Sequence, residues 1–150
     1  MQIRPAENAD LPAILSLYAQ FRATPVPKAD ERILNIWKQI MADKNHHVIV
    51  GIEDGKIVSS CVLVIVPNLT HDQRPYALIE NVITDEAHRK KGYASAVLDG
   101  AKSMAKQANC YKVMLMTGSK LDSTLRFYER AGFNRADKTA FVLWFDEADV

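Results

Sequence analysis

The architecture turns on the stretch YALIENVITDEAHRKKGYA, residues 76–94. Its first nine residues form a β-rich run in which only Glu80, Asn81 and Thr84 are polar, apart from the Tyr76 hydroxyl. Residues 85–92 are polar, basic at Arg89, Lys90 and Lys91, and closed by Gly92. From Tyr93 onward, Val97, Leu98, Ala101, Met104, Ala105 and Ala108 fall on one helical stripe, which predicts a helix over 93–108. A basic, glycine-containing loop thus leads from a strand straight into a helix. The first N–H groups of such a helix have no acceptor within it. A pyrophosphate supplies acceptors and negative charge together, and Gly92 leaves its oxygens room to approach. Arg89, Lys90 and Lys91 add charge-assisted contacts, and Ala94 keeps the next turn open. The same residues also fit a plain solvated basic loop. The nucleotide-triphosphate loop, Gly-x-x-x-x-Gly-Lys-Ser/Thr, and the dinucleotide glycine fingerprint are both absent.

Upstream, residues 8–22 place Leu11, Ile14, Leu15, Tyr18 and Phe21 at helical spacing, with Asp10 beside Pro12 as the start and Pro25 and Pro27 as the stop. Residues 30–41 form a second amphipathic helix with Ile33, Leu34, Ile36, Trp37, Ile40 and Met41. β-branched runs at 48–52 and 57–66 flank Glu53-Asp54-Gly55-Lys56, whose Asp-Gly predicts a hairpin, and a polar loop at 67–75 follows. Downstream come a short strand at 111–116, a helix at 122–131 and a final alternating strand at 139–145. Gly132 stands where a left-handed cap belongs, with Phe133 placed to pack back on the helix. This order gives a mixed sheet with helices on both faces, α+β in most schemes and α/β in some.

At 150 residues, 48% hydrophobic and 25% charged, without repeats or Gly/Ser linkers, residues 1–150 read as a single domain. A net charge of +1 gives no global field toward nucleic acid or an anionic membrane, and the aromatic residues are not interleaved with basic ones. Cys61 and Cys110 lie in apolar segments without paired or metal-ligand spacing, so reduced, buried thiols are expected. The N-terminus lacks a secretory pattern and the apolar run 62–66 is too short to span a bilayer, which points to a cytoplasmic protein. His46 and His47 are strand neighbours facing opposite ways, and His71 and His88 fall in loops, so no metal site is expected.

Arg89, Gly92 and Ala94 match Arg/Gln-x-x-Gly-x-Gly/Ala. Phe127-Tyr128-Glu129-Arg130-Ala131-Gly132-Phe133 is a helix ending in an aromatic-Tyr pair, then Glu, two variable residues and Gly-Phe. With these two motifs in this order, the sequence resembles the GCN5-related N-acetyltransferase (GNAT) superfamily. Ile3-Arg4-Pro5-Ala6 with Asp10-Leu11 looks like the family's opening strand and helix, so the resemblance covers essentially the whole chain.

The resemblance implies a mostly antiparallel central sheet, acetyl-CoA as acetyl donor, no metal, and direct transfer to an amine through a ternary complex. It places cofactor contacts at Val82, Ile83 and Thr84, where the family splays two strands apart. Further contacts fall at Arg89, Lys90, Lys91, Gly92, Tyr93 and Ala94, and an oxyanion donor near Val82. Asp122 and Ser123 occupy the place where the family often has Asn against the pantetheine arm, and Asp122 also suits a helix cap.

The resemblance makes Tyr128 the proton donor, since an ordinary phenol stays protonated at neutral pH. On its own, Tyr128 beside Phe127 reads rather as a core aromatic, and the flanking motif reverses that reading. Glu80 is the candidate base, acting directly or through water, on a face that alternation shares among Leu78, Glu80 and Val82. Its bland counterpart is a strand-edge salt bridge. The acceptor pocket of such a fold draws on Tyr18, Phe21, Arg22, Trp37, residues 68–75 including His71, and residues 141–144. Arg22 and Arg74 suit an anionic acceptor, and a small-molecule amine is the expected partner. Final strands in this fold often pair across dimers, so a homodimer is a further expectation. A non-catalytic acyl-CoA-binding module and a protein-amine acetyltransferase are the alternatives.

Overall fold

The computed structural model describes residues 1–21 and 23–145. Its contacts divide the chain into two compact units, Met1–Leu115 and Met116–Val150.

In the first unit, β1 (Gln2–Pro5), β2 (His46–Glu53), β3 (Lys56–Val66), β4 (Tyr76–Thr84) and β5 (Val113–Leu115) lie side by side in chain order. Neighbours from β1 to β4 run antiparallel, whereas β5 runs parallel to β4. The parallel pair requires a crossover, supplied by helix α3 (Tyr93–Gln107). Between β2 and β3 the turn residues Asp54 and Gly55 have φ of +48° and +75°, the left-handed pair that a two-residue hairpin demands.

The sheet is covered on both faces. Val48, Val50 and Val62 meet Leu11 and Ile14 of α1 (Leu11–Ala19) and Trp37 of α2 (Glu31–Ala42) in one core cluster. On the other face Ile49, Cys61, Leu63, Ala77 and Ile79 are buried, and α3 contributes Val97, Leu98, Ala101 and Ala105. The Cys61 thiol donates to the Val97 carbonyl at 3.4 Å, and burial pushes its pKa up to about 12, so it is a core thiol, as expected. Cys110 is only half-buried. No described helix is long and apolar enough to cross a membrane.

Both N-terminal helices are narrower in role than their sequence patterns suggest. The α-helix α1 ends at Ala19 with Gln20 as its cap, and residues 8–10 form a short 3-10 turn instead of its first turn. Phe21 therefore lies beyond the helix and is exposed. Asp30 caps α2 by accepting from the Ile33 N–H at 2.9 Å. Only Ile33, Trp37, Ile40 and Met41 turn toward the core, while Leu34 and Ile36 are exposed.

The second unit contains α4 (Asp122–Arg130). The Phe133 N–H donates to the Tyr128 carbonyl at 3.1 Å and the Gly132 N–H to Glu129 at 2.9 Å, with Gly132 at φ +94°. This pair of bonds is the left-handed termination expected at Gly132. The strand expected at 139–145 is not formed: its residues are exposed and outside any ladder. A strand needs a neighbour for its backbone groups, and the described residues of this unit contain none.

Asp10 joins β1 to α1. Its carboxylate accepts from both Arg4 nitrogens at 2.6 and 3.0 Å and from the Glu7 N–H at 2.7 Å. The Arg4 hydrogen bonds chiefly hold the Asp10 carboxyl below its ordinary range. A depressed carboxyl stabilises the fold above its unfolded pKa, and the contribution is lost as pH falls through the folded value. Asp10→Asn should therefore cost about 1–2 kcal/mol in urea unfolding at neutral pH. The gap to wild type should close on acidification.

Candidate active site

The pairing of β3 with β4 breaks at its centre. Val62 opposes Glu80 and Ser60 opposes Ile83, so that Asn81 and Val82 together face Cys61. This is a β-bulge, and Asn81 takes the left-handed conformation at φ +51°, which asparagine tolerates better than most residues. The extra residue reverses the alternation beyond it. Glu80 and Ile83 share the face of Val62 and Ser60, so Val82 does not share the Glu80 face as simple alternation predicts. Glu80 itself is exposed.

Pairing with β5 stops just before the bulge, at Ile79 opposite Leu115. From Glu80 to Thr84 the β5-side edge of β4 pairs with no strand among the described residues. The backbone groups that β4 turns to that edge are open to a ligand, although the Ile83 carbonyl is turned to Ser59 and the Thr84 carbonyl accepts from Arg89 Nε at 3.4 Å. The end of β4 is fixed by Ser59 of β3, whose hydroxyl donates to the Ile83 carbonyl at 2.9 Å and meets the Thr84 hydroxyl at 2.8 Å.

The loop after β4 begins with the Asp85 N–H donating to Val58 at 2.8 Å. The Asp85 carboxylate accepts from His88 Nδ1 at 2.5 Å and from Gln20 Nε2 at 2.9 Å, and these two bonds hold it below the usual carboxylate range. Gln20 Oε1 in turn accepts the Glu86 N–H at 3.2 Å. The His88 ring stands edge-on to Tyr93, with centroids 5.8 Å apart. Arg89, Lys90 and Lys91 are exposed, and Arg89 lies 3.4 Å from Glu86. Gly92 precedes α3 at φ +87°, and a Cβ there would meet nothing within 4 Å. It brings no side chain to cap the N–H groups of the first turn. The cradle fits a pyrophosphate: open space, free N–H groups and nearby cations. Tyr93 is buried against His88, so its ring anchors the helix start, and burial followed by the Glu53 and Asp54 carboxylates pushes its phenol up.

In the second unit the Tyr128 ring packs edge-on to Phe127 at 5.0 Å and to Phe133 at 6.4 Å. Asp122 is the first residue of α4 rather than its cap, which is Leu121, and its carboxylate pairs with Arg126. Ser123 is exposed.

The acceptor-side residues divide. Trp37 belongs to the core, and Tyr18 packs against it. Arg74 donates to the carbonyls of Asn109 and Cys110, each at 3.2 Å, so it ties a loop together. His71 stacks on Tyr111 with centroids 3.9 Å apart. Arg22 lies outside the described residues. A groove of about 550 Å³ lined by Lys44, His47, Gln73, Met104 and Gln107 sits at the far end of α3 from Gly92. Among the described residues no His, Cys, Asp and Glu side chains group as a metal site would. Gln20, Asp85 and Ser59 carry no local motif, and their partners lie 24 to 66 residues away in the chain or, for His88, in an ordinary-looking loop.

The chain and its fold are similar to those of known proteins. The family model described as "Acetyltransferase (GNAT) family" matches residues 11–133. The chain belongs to the GNAT acetyltransferase family. A putative acetyltransferase from Agrobacterium tumefaciens is 40% identical, with a TM-score of 0.90 over 96% of this chain and 99% of that one. A structure described as a transcriptional regulator from Bacillus halodurans is 28% identical, with a TM-score of 0.84 over 95% and 99% of the two chains. The glucosamine 6-phosphate N-acetyltransferase of Trypanosoma brucei brucei is 28% identical over 144 residues, 92% of each chain. The protein is an acetyl-CoA-dependent N-acetyltransferase.

Gly92→Glu should abolish acetyl-CoA binding in calorimetry, because it places bulk and negative charge in the cradle. Gly92→Ala meets no neighbour and carries chiefly backbone strain of about 1 kcal/mol, so it should bind more weakly yet measurably.

Proposed function

We propose that the acceptor is the primary amine of a small molecule and that acetyl passes to it directly from acetyl-CoA in a ternary complex. The carrying observation is the bulged, half-unpaired end of β4 leading into the glycine-capped start of α3. The relative named for glucosamine 6-phosphate supports a small amine as the acceptor class. The family match runs across the boundary between the two units, which supports residues 1–150 acting as one catalytic domain, and a cytoplasmic location is part of the proposal.

In this reading Val82, Ile83 and Thr84 offer backbone groups to the pantetheine arm, and Arg89, Lys90, Lys91 and the N–H groups from Gly92 to Ala94 hold the pyrophosphate. Asp122 and Ser123 act on the arm from α4. Glu80 removes a proton from the amine, directly or through water. The neutral nitrogen then attacks the thioester carbon and an N–H near Val82 stabilises the oxyanion; the C–S bond breaks as Tyr128 protonates the departing thiolate, and the nitrogen releases its remaining excess proton through water, which restores the Tyr128 phenol. The exposed run Phe141, Val142, Leu143, Trp144 and Phe145 supports a homodimer, since exposed apolar patches of this kind mark interaction surfaces. The likeness to a described transcriptional regulator favours one second reading, a module that binds acyl-CoA without turnover.

Calorimetry with acetyl-CoA and CoA at two salt concentrations, followed by an amine screen detecting released thiol, separates these readings. Saturable binding with turnover supports the enzyme; tight binding without turnover on any amine supports the module. Tyr128→Phe should lower turnover by about 100-fold with little change in cofactor affinity. Glu80→Gln should alter the pH-rate profile, and a profile parallel to wild type would return Glu80 to a structural role.

A further inference from the structure

Asp85 is out of place by charge alone. It opens the loop that ends in Arg89, Lys90, Lys91 and Gly92, where a carboxylate opposes the binding of a pyrophosphate. Its oxygens, however, are turned to other work. One accepts from Gln20 Nε2 at 2.9 Å and the other from His88 Nδ1 at 2.5 Å. The amide of Gln20 grips the loop twice, because its oxygen also takes the Glu86 N–H at 3.2 Å. His88 extends the chain of contacts to Tyr93, the first residue of α3, whose ring is buried. A continuous line therefore runs from the end of α1, through the loop, to the residue after Gly92.

We infer that Gln20 is a positioning residue for the phosphate-binding loop, acting through Asp85 and His88 to hold the backbone N–H groups beyond Gly92 in place before acetyl-CoA arrives. This inference rests on the reading of that loop as the acetyl-CoA cradle. Gln20 suits the task because it caps α1 and is itself held, with its backbone N–H donating to Leu17 at 3.3 Å. An amide is the side chain the geometry requires, with a donor toward a carboxylate and an acceptor toward an N–H on the same planar group. A loop prearranged in this way loses less conformational freedom when the ligand binds.

The test exchanges donor and acceptor between the partners. Gln20→Glu keeps the acceptor for the Glu86 N–H but sets a carboxylate against Asp85, and should raise the acetyl-CoA Kd about tenfold. Asp85→Asn alone should also weaken binding. In the double variant Q20E/D85N the asparagine amide can donate to the carboxylate introduced at position 20 while its oxygen still accepts from His88. The double variant should return Kd to within about threefold of wild type, a non-additivity that independent sites do not show. Steady-state kinetics should place the single-variant defect in KM for acetyl-CoA, with kcat within about twofold. The same thermal unfolding midpoint across the set separates positioning from general destabilisation. Unchanged Kd in Gln20→Glu, or additive losses in the double variant, would overturn the inference. Wild type that fails to bind acetyl-CoA would sink the acetyltransferase reading itself, and this role with it.

Discussion

The loss of pairing along the second half of β4 is the constraint on which the site depends. From Ala77 through Ile79 the strand has a neighbour on each side, and from Glu80 it pairs, among the described residues, with β3 alone. A strand left half-paired in an open sheet needs another acceptor or donor for its exposed backbone groups, from water or from a ligand. The bulge at Asn81 and Val82 falls at this change. It bends the strand and re-aims the side chains beyond it, as bulges beside functional sites commonly do. Ser59 then locks the strand end from the opposite edge, so the opening is fixed in shape.

The start of α3 is the second half of the same construction. The crossover brings the chain from the end of β4 over the sheet to β5, so the helix begins where β4 stops. Gly51 and Gly100 allow α3 close to the sheet: a Cβ on Gly100 would lie 3.0 Å from Ile3. Seated there, its N-terminal dipole and the unpaired strand edge belong to one framework. Backbone groups, at the open edge of β4 and at the start of α3, shape this opening as much as side chains do.

The main elements were legible in the sequence because each is a local pattern. The Asp54-Gly55 turn, the Gly132 termination and the α3 stripe all appear where propensity and periodicity place them. The failures have a common cause in tertiary context. Alternation assigned Val82 to the Glu80 face because a bulge leaves no mark in a run of β-branched residues. Phe21, Leu34 and Ile36 are apolar at helical spacing yet exposed, since periodicity reports a face without saying how far its partner extends. Residues 139–145 alternate like a strand, but a ladder belongs to two strands and the sequence describes one. Of the site, the glycine loop was readable as chemistry, whereas Gln20 meeting Asp85 across 65 residues was not.

The order of the sheet bears on how the protein is made. Strands β1 to β5 are neighbours in space as they are in sequence. During synthesis each new strand from β3 onward emerges after the strand it joins, and the sheet can grow at one edge without waiting for a distant segment. The longer loops are closed at the two edges of the sheet, where α1 and α2 separate β1 from β2 and α3 separates β5 from β4. Short-range pairing of this kind lowers contact order and speeds folding, and it shortens the interval in which the apolar strands β2 and β3 stand unpaired.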